Sequence, residues 1–153
     1  MKTWRWIGAL ALIILGACAG MGGDSGPVLI DSSNVNRLYG MEWQLKTITV
    51  DGTRVIMHTD GDMSLVFAPD GQAGGYAAVN NFSGRYSFDE QGRLTWSQGL
   101  ASTRKAGPPE LMEKERAYLG GIPKTTRAIL SGNALQLQSE DGNTVLTFVK
   151  AGT

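Results

Sequence analysis

The single histidine of the chain, His58, lies in "HTDGD" beside Asp60 and Asp62. An imidazole and two carboxylates are metal-ligand types. Three ligands on one short turn, with no second histidine or cysteine to complete the set, do not suit zinc, and the run lacks the later glutamate of a calcium loop. It reads as a solvated turn. A serine hydrolase needs a nucleophile, a base and an orienting acid, and the chain contains no G-x-S-x-G elbow. Three more carboxylates, Glu110, Glu113 and Glu115, gather in "PPELMEKERAYLGGI". Helical spacing puts Glu110 and Glu113 on a wet face, with Glu113 near Arg116. Glu115 instead shares the stripe of Leu111, Tyr118, Leu119 and Ile122. An unpaired carboxylate turned towards a core costs several kcal/mol. Arg104 is its expected partner, because a guanidinium fork holds a carboxylate with two hydrogen bonds. In "YAAVNNFSGRY", Asn80, Asn81 and Ser83 offer donors and acceptors to a polar ligand. The structural alternative is a turn, since Asn tolerates left-handed backbone and satisfies nearby amides.

The only cysteine, Cys18, has a different setting. Met1 to Arg5 is short and cationic, Trp6 to Leu15 is apolar, and Leu15-Gly16-Ala17-Cys18 follows. The apolar run is shorter than the roughly 20 residues that span a bilayer. It reads as a secretory signal peptide over residues 1–17, whose ending resembles a bacterial lipobox. Cys18 is then the lipid attachment site, carrying diacylglycerol and an N-acyl chain. By resemblance to bacterial lipoproteins generally, the absence of Asp at the next position, held here by Ala19, points to the outer membrane, with the domain facing the periplasm. A bacterial export signal also makes the glycosylation spelling Asn81-Phe82-Ser83 accidental. Residues 18–30, including the glycine-rich "AGMGGDSGP", read as a lipidated flexible tether, and 31–153 as the folded domain.

Lys+Arg and Asp+Glu both number 14, so no net field favours nucleic acid as a partner. Removal of Lys2 and Arg5 with the signal leaves the mature chain mildly acidic.

From Asp31 onwards, short apolar runs are separated by Asp51-Gly52, Asp70-Gly71, Gln91-Gly92, Gly132-Asn133 and Asp141-Gly142. Such dipeptides suit tight hairpins. Alternation within the runs places Met63, Leu65 and Phe67 on one face. It does the same for Leu94 with Trp96, Leu135 with Leu137, Leu146 with Phe148, and Phe82, Gly84, Tyr86 with Phe88. The expected fold class is α+β and β-rich: a curved antiparallel sheet or small open barrel of hairpins with one covering helix. Pro109 suits the first turn of that helix and Gly120-Gly121 its end. A weaker helical turn is expected at Ser33 to Tyr39.

Three segments, "GMEWQL", "NNFSGRYSFDEQGRLTWSQGLASTRKAGPPELMEKERAYL" and "SGNALQLQSEDGNTVLTF", resemble the META/HslJ domain family over roughly Leu38 to Val149. The matching motif comprises Asn80, Phe82, Ser83, Gly84, Tyr86, Thr103, Arg104 and Glu115, with Pro108-Pro109 and Leu111-Met112. The resemblance implies a small envelope domain, linked in some members to heat-shock or antibiotic stress, without an agreed enzymatic activity. Many members carry cysteines at the positions held here by Val79 and Gly107. The resemblance thus implies that these two residues are neighbours and that a family disulfide is missing.

The sequence therefore leads to a non-catalytic, lipid-anchored envelope protein. It is expected to be a monomer with no metal and no cofactor beyond its acyl chains, supporting envelope integrity or stress tolerance through an envelope protein partner. The rival is a carrier of lipid or a small hydrophobic ligand, with a cavity lined by Trp43, Phe67, Trp96 and Phe148. A third reading is an inhibitor of an envelope enzyme.

Overall fold

The computed structural model describes residues 26–56 and 63–152. Cys18, the signal segment and the "HTDGD" run lie outside the described residues. Ten strands form one antiparallel sheet: β1 (Val28–Leu29), β2 (Glu42–Val50), β3 (Thr53–Ile56), β4 (Ser64–Phe67), β5 (Gln72–Ala77), β6 (Asn80–Phe88), β7 (Leu94–Ser102), β8 (Arg127–Ser131), β9 (Ala134–Gln138) and β10 (Val145–Lys150). Their spatial order is β1-β8-β9-β10-β2-β4-β5-β6-β7, with β3 branching from β2. Each of the five turn dipeptides sits at a strand connection, and its glycine has positive φ. This is the backbone geometry that a tight, correctly twisted hairpin demands.

The sheet curls around one core without closing. Leu94 N donates to Thr126 O at 2.7 Å, and Trp96 Nε1 donates to Thr125 Oγ1 at 3.0 Å. The far edges thus meet at a point, while no β7–β8 ladder forms. Inward alternation buries Trp43 and Leu45 on β2. Lys46 is then an extra residue, because Leu45 pairs with Phe148 and Thr47 with Thr147. That bulge resets the period and returns Ile48 to the core.

The single α-helix among the described residues, α1 (Pro109–Gly121), has Pro109 in its first turn and Glu110 near its positive end. Its buried face consists of Glu115, Tyr118 and Gly121, followed by Ile122 in a short 3-10 turn. Tyr118 is fully buried between Phe82, with ring centroids 5.6 Å apart, and Phe148 at 6.2 Å. The helical turn expected near Ser33 is a 3-10 turn at Val35–Leu38.

One boundary differs from the sequence expectation. Val28 and Leu29, placed there at the end of a tether, pair with Leu130 and Ile129 of β8, and Ile30 is completely buried. The ordered fold therefore begins before Asp31. A two-residue strand is too short to show an alternation.

Candidate functional site

The motif residues divide according to the pleat of β6. Even positions point inward, so Asn80, Phe82 and Tyr86 are buried, while Asn81, Ser83 and Arg85 are exposed. Phe82 packs on Tyr118. Tyr86 meets Phe67 edge-to-face at 4.9 Å and donates from its hydroxyl to Ala68 O at 2.7 Å. Ser83 and Gly84 face β7 across an irregular register.

Asn80 is the centre of a buried polar clasp. Its Oδ1 accepts from Thr103 Oγ1 and from Lys105 N, both at 2.7 Å. Its Nδ2 donates to Lys105 O at 3.2 Å and to Glu115 Oε1 at 2.8 Å. Its backbone N–H donates to Glu115 Oε2 at 2.8 Å, and Val79 N–H reaches the same oxygen at 3.3 Å. Thr103 Oγ1 also accepts from Asn81 N at 3.2 Å, while Thr103 N donates to Asn81 O. One amide side chain thus joins the β5–β6 turn, the loop before α1 and α1 itself. All four hydrogen-bonding positions of that amide are occupied.

This arrangement corrects two expectations. Glu115 does not take Arg104 as its partner; Arg104 is exposed, and the carboxylate is satisfied by two backbone amides and the Asn80 side chain. Neutral N–H donors converging on a carboxylate solve the burial problem without bringing a second charge out of water. Nor do Asn80 and Asn81 make the turn. They begin β6, and the turn is Ala78-Val79, with Ala78 in the left-handed region at φ 69°. The expected proximity of Val79 and Gly107 holds: a Cβ on Gly107 would lie 2.7 Å from Val79 Cγ2 and 3.5 Å from Val79 Cβ. The valine side chain occupies the space that a side chain at 107 would enter.

Sequence reasoning did not place Val79 or Lys105 in this clasp, to which both contribute only backbone groups. The one signal for the clasp was parity, since the alternation that buries Phe82 and Tyr86 also buries Asn80 and so demands partners for it.

Chemically, the clasp is consumed by the fold. No nucleophile and base stand paired in it. Among the described residues, no group of three or more His, Cys, Asp or Glu could hold a metal ion, and no helix is long and apolar enough to cross a membrane. The aromatics expected around a ligand cavity belong to the core instead: Phe67 lies 6.3 Å from Trp96 and Phe148 6.2 Å from Tyr118 by ring centroids, and Trp43, Phe67 and Phe148 are buried.

The family model of the META domain matches residues 36–152. The chain belongs to the META domain family. Three solved structures share its fold. An NMR structure of a protein from Burkholderia xenovorans is 20% identical, with all of each chain covered and a TM-score of 0.64. A duf4847 family protein from Bacteroides vulgatus, solved by crystallography, is 11% identical, with 75% of this chain and 96% of that chain covered and a TM-score of 0.56. Another NMR structure is 23% identical, with 74% and 92% covered and a TM-score of 0.52. No curated protein matches the chain. Neither the META assignment nor these neighbours indicates a catalytic family.

Proposed function

We propose that this META domain protein is a non-catalytic envelope lipoprotein, anchored through acyl chains on Cys18 and facing the periplasm from the outer membrane. It works as a monomer that supports envelope integrity or stress tolerance through an envelope protein partner. In this reading, residues 1–17 are removed and a short segment after Cys18 connects the lipid to the sheet.

The observation that carries the non-catalytic part is the fate of Glu115. The one buried carboxylate of the described residues has its oxygens taken up by Val79 N, Asn80 N and Asn80 Nδ2. A general acid or base must exchange a proton with a substrate within hydrogen-bond reach, and this group is held by internal donors instead. The packed aromatics at the centre of the sheet favour this reading over a hydrophobic-ligand carrier.

The anchoring part rests on the order of cationic, apolar and small residues ahead of Cys18. Two or three acyl chains hold a protein firmly on a bilayer, at about 0.8 kcal/mol per buried methylene. Metabolic labelling with a radioactive fatty acid tests it. Label should enter the wild-type chain and be lost in Cys18→Ser. Absence of label from the wild type, or its persistence in the variant, overturns the anchor.

A further inference from the structure

The outer surface of β5, β6 and β7 holds a polar feature separate from the clasp. Ser83 opposes Ala101 and Arg85 opposes Ser97, so Gln98, Gly99 and Leu100 together stand against Gly84. Gln98 and Gly99 both have positive φ, 65° and 71°. Left-handed backbone is disfavoured in a residue with a Cβ. Bulges of this kind re-aim side chains and recur beside binding sites. Here the bulge opens a recess of about 300 Å³ bordered by Gln72, Ser83, Arg85, Ser97, Gln98 and Leu100, with Gly84 among them. A Cβ on Gly84 would come 2.5 Å from Leu100 Cδ2, so the glycine is what lets Leu100 sit at the rim.

The lining has a particular chemistry. It contains one full charge, the Arg85 guanidinium, and no carboxylate, although the chain as a whole has as many acids as bases. Arg85 makes no side-chain hydrogen bond or ion pair among the described residues. Asp70, the acid bonded to the lining residue Gln72, is engaged by the Gln72 N–H at 3.0 Å and Gln72 Nε2 at 2.9 Å. Around Arg85 the hydroxyls and amides place donors and acceptors side by side.

We propose that this recess binds a sugar unit bearing a carboxylate or phosphate. The charge complementarity is direct, since a guanidinium fork grips either anion through paired hydrogen bonds. Sugar hydroxyls are donors and acceptors at once, which matches Ser83, Ser97 and Gln98 better than it matches a bare anion or an apolar ligand. Leu100 supplies an apolar edge for the C–H face of a pyranose ring. The volume lies at the small end of ligand sites, about 300 Å³ upwards, and suits a single unit. The site does not depend on the anchor.

The test is amide-resolved NMR titration of the full chain in detergent micelles with glucuronic acid, glucose 6-phosphate, glucose and inorganic phosphate. Either acidic sugar should shift the amides of Ser83 to Arg85 and Ser97 to Ala101. Arg85→Gln should weaken that binding about tenfold, the loss expected for one charge-assisted pair. Gly84→Ala should weaken it as well, by driving Leu100 from the rim. Arg104→Gln, which removes one equally exposed positive charge outside the recess, should bind as wild type. Three results overturn the assignment: no localised shifts with either acidic sugar, equal shifts with inorganic phosphate alone, or shifts with glucose that survive Arg85→Gln.

Discussion

At the scale of single residues, the clasp makes asymmetric demands on its members. Asn80→Ala would strip partners from Glu115 Oε1, Thr103 Oγ1 and both backbone groups of Lys105 at once. Buried polar groups left unpaired cost about 1–3 kcal/mol each before relaxation, so a loss of about 2–4 kcal/mol is expected in chemical denaturation. Glu115→Gln keeps the shape but sets an amide NH2 against donors, and should cost about 1–3 kcal/mol. Arg104→Ala, by contrast, should change stability by less than about 0.5 kcal/mol, because its side chain is exposed. A large loss at Arg104 together with a small one at Asn80 would mean that the clasp has been drawn around the wrong residue. The buried side of this site was legible from the parity of Asn80 with Phe82 and Tyr86. Its partners were not, because backbone amides at Val79 and Lys105 carry no side-chain signature, and a charged residue such as Arg104 attracts a pairing argument that geometry then declines.

At the scale of elements, hairpins were the most legible feature. Asp51-Gly52, Asp70-Gly71, Gln91-Gly92, Gly132-Asn133 and Asp141-Gly142 all mark real turns, since positive φ restricts residue type strongly. The Ala78-Val79 turn escaped notice because alanine in the left-handed region is held there by the surrounding hydrogen bonds and not by its own preference. β1 escaped for the opposite reason, being short and edge-bound. The contact between Val79 and the loop at Gly107 gives a test at this level. A 3.5 Å separation of the two Cβ positions falls at the short end of disulfide geometry. In the double variant Val79→Cys/Gly107→Cys, a bridge should form under oxidising conditions and stabilise by about 3–4 kcal/mol in the chain-entropy picture. Gly107→Cys alone should destabilise, because the new side chain would meet Val79 Cγ2 at 2.7 Å. Free thiols in the purified double variant, assayed by alkylation, would contradict the neighbourhood.

At the scale of the whole molecule, two phenols report on the integrity of the core. Burial raises the Tyr118 pKa well above its ordinary value of 10.0, and its hydroxyl donates to Ser64 O at 3.0 Å. Tyr86 is also raised, chiefly by burial. With the folded-state values above the unfolded ones, the native state retains protons that the unfolded chain releases. Their contribution is therefore complete below the unfolded value near 10 and declines as pH rises beyond it. Urea melts between neutral pH and strong alkali should show a plateau followed by a fall, and Tyr118→Phe should flatten the fall. Alkaline stability that kept rising beyond that value would contradict the burial of both rings.

The pairing of β2 with β10 ties the first third of the domain to its final residues, and β1 likewise waits for β8. A ribosome delivers these partners at opposite ends of its work. No stretch emerging early can complete the central ladder, so the nascent polypeptide stays open until its last strand has been made. That late closure fits the export proposed above, since a chain still unfolded when its synthesis ends can be threaded through a narrow pore.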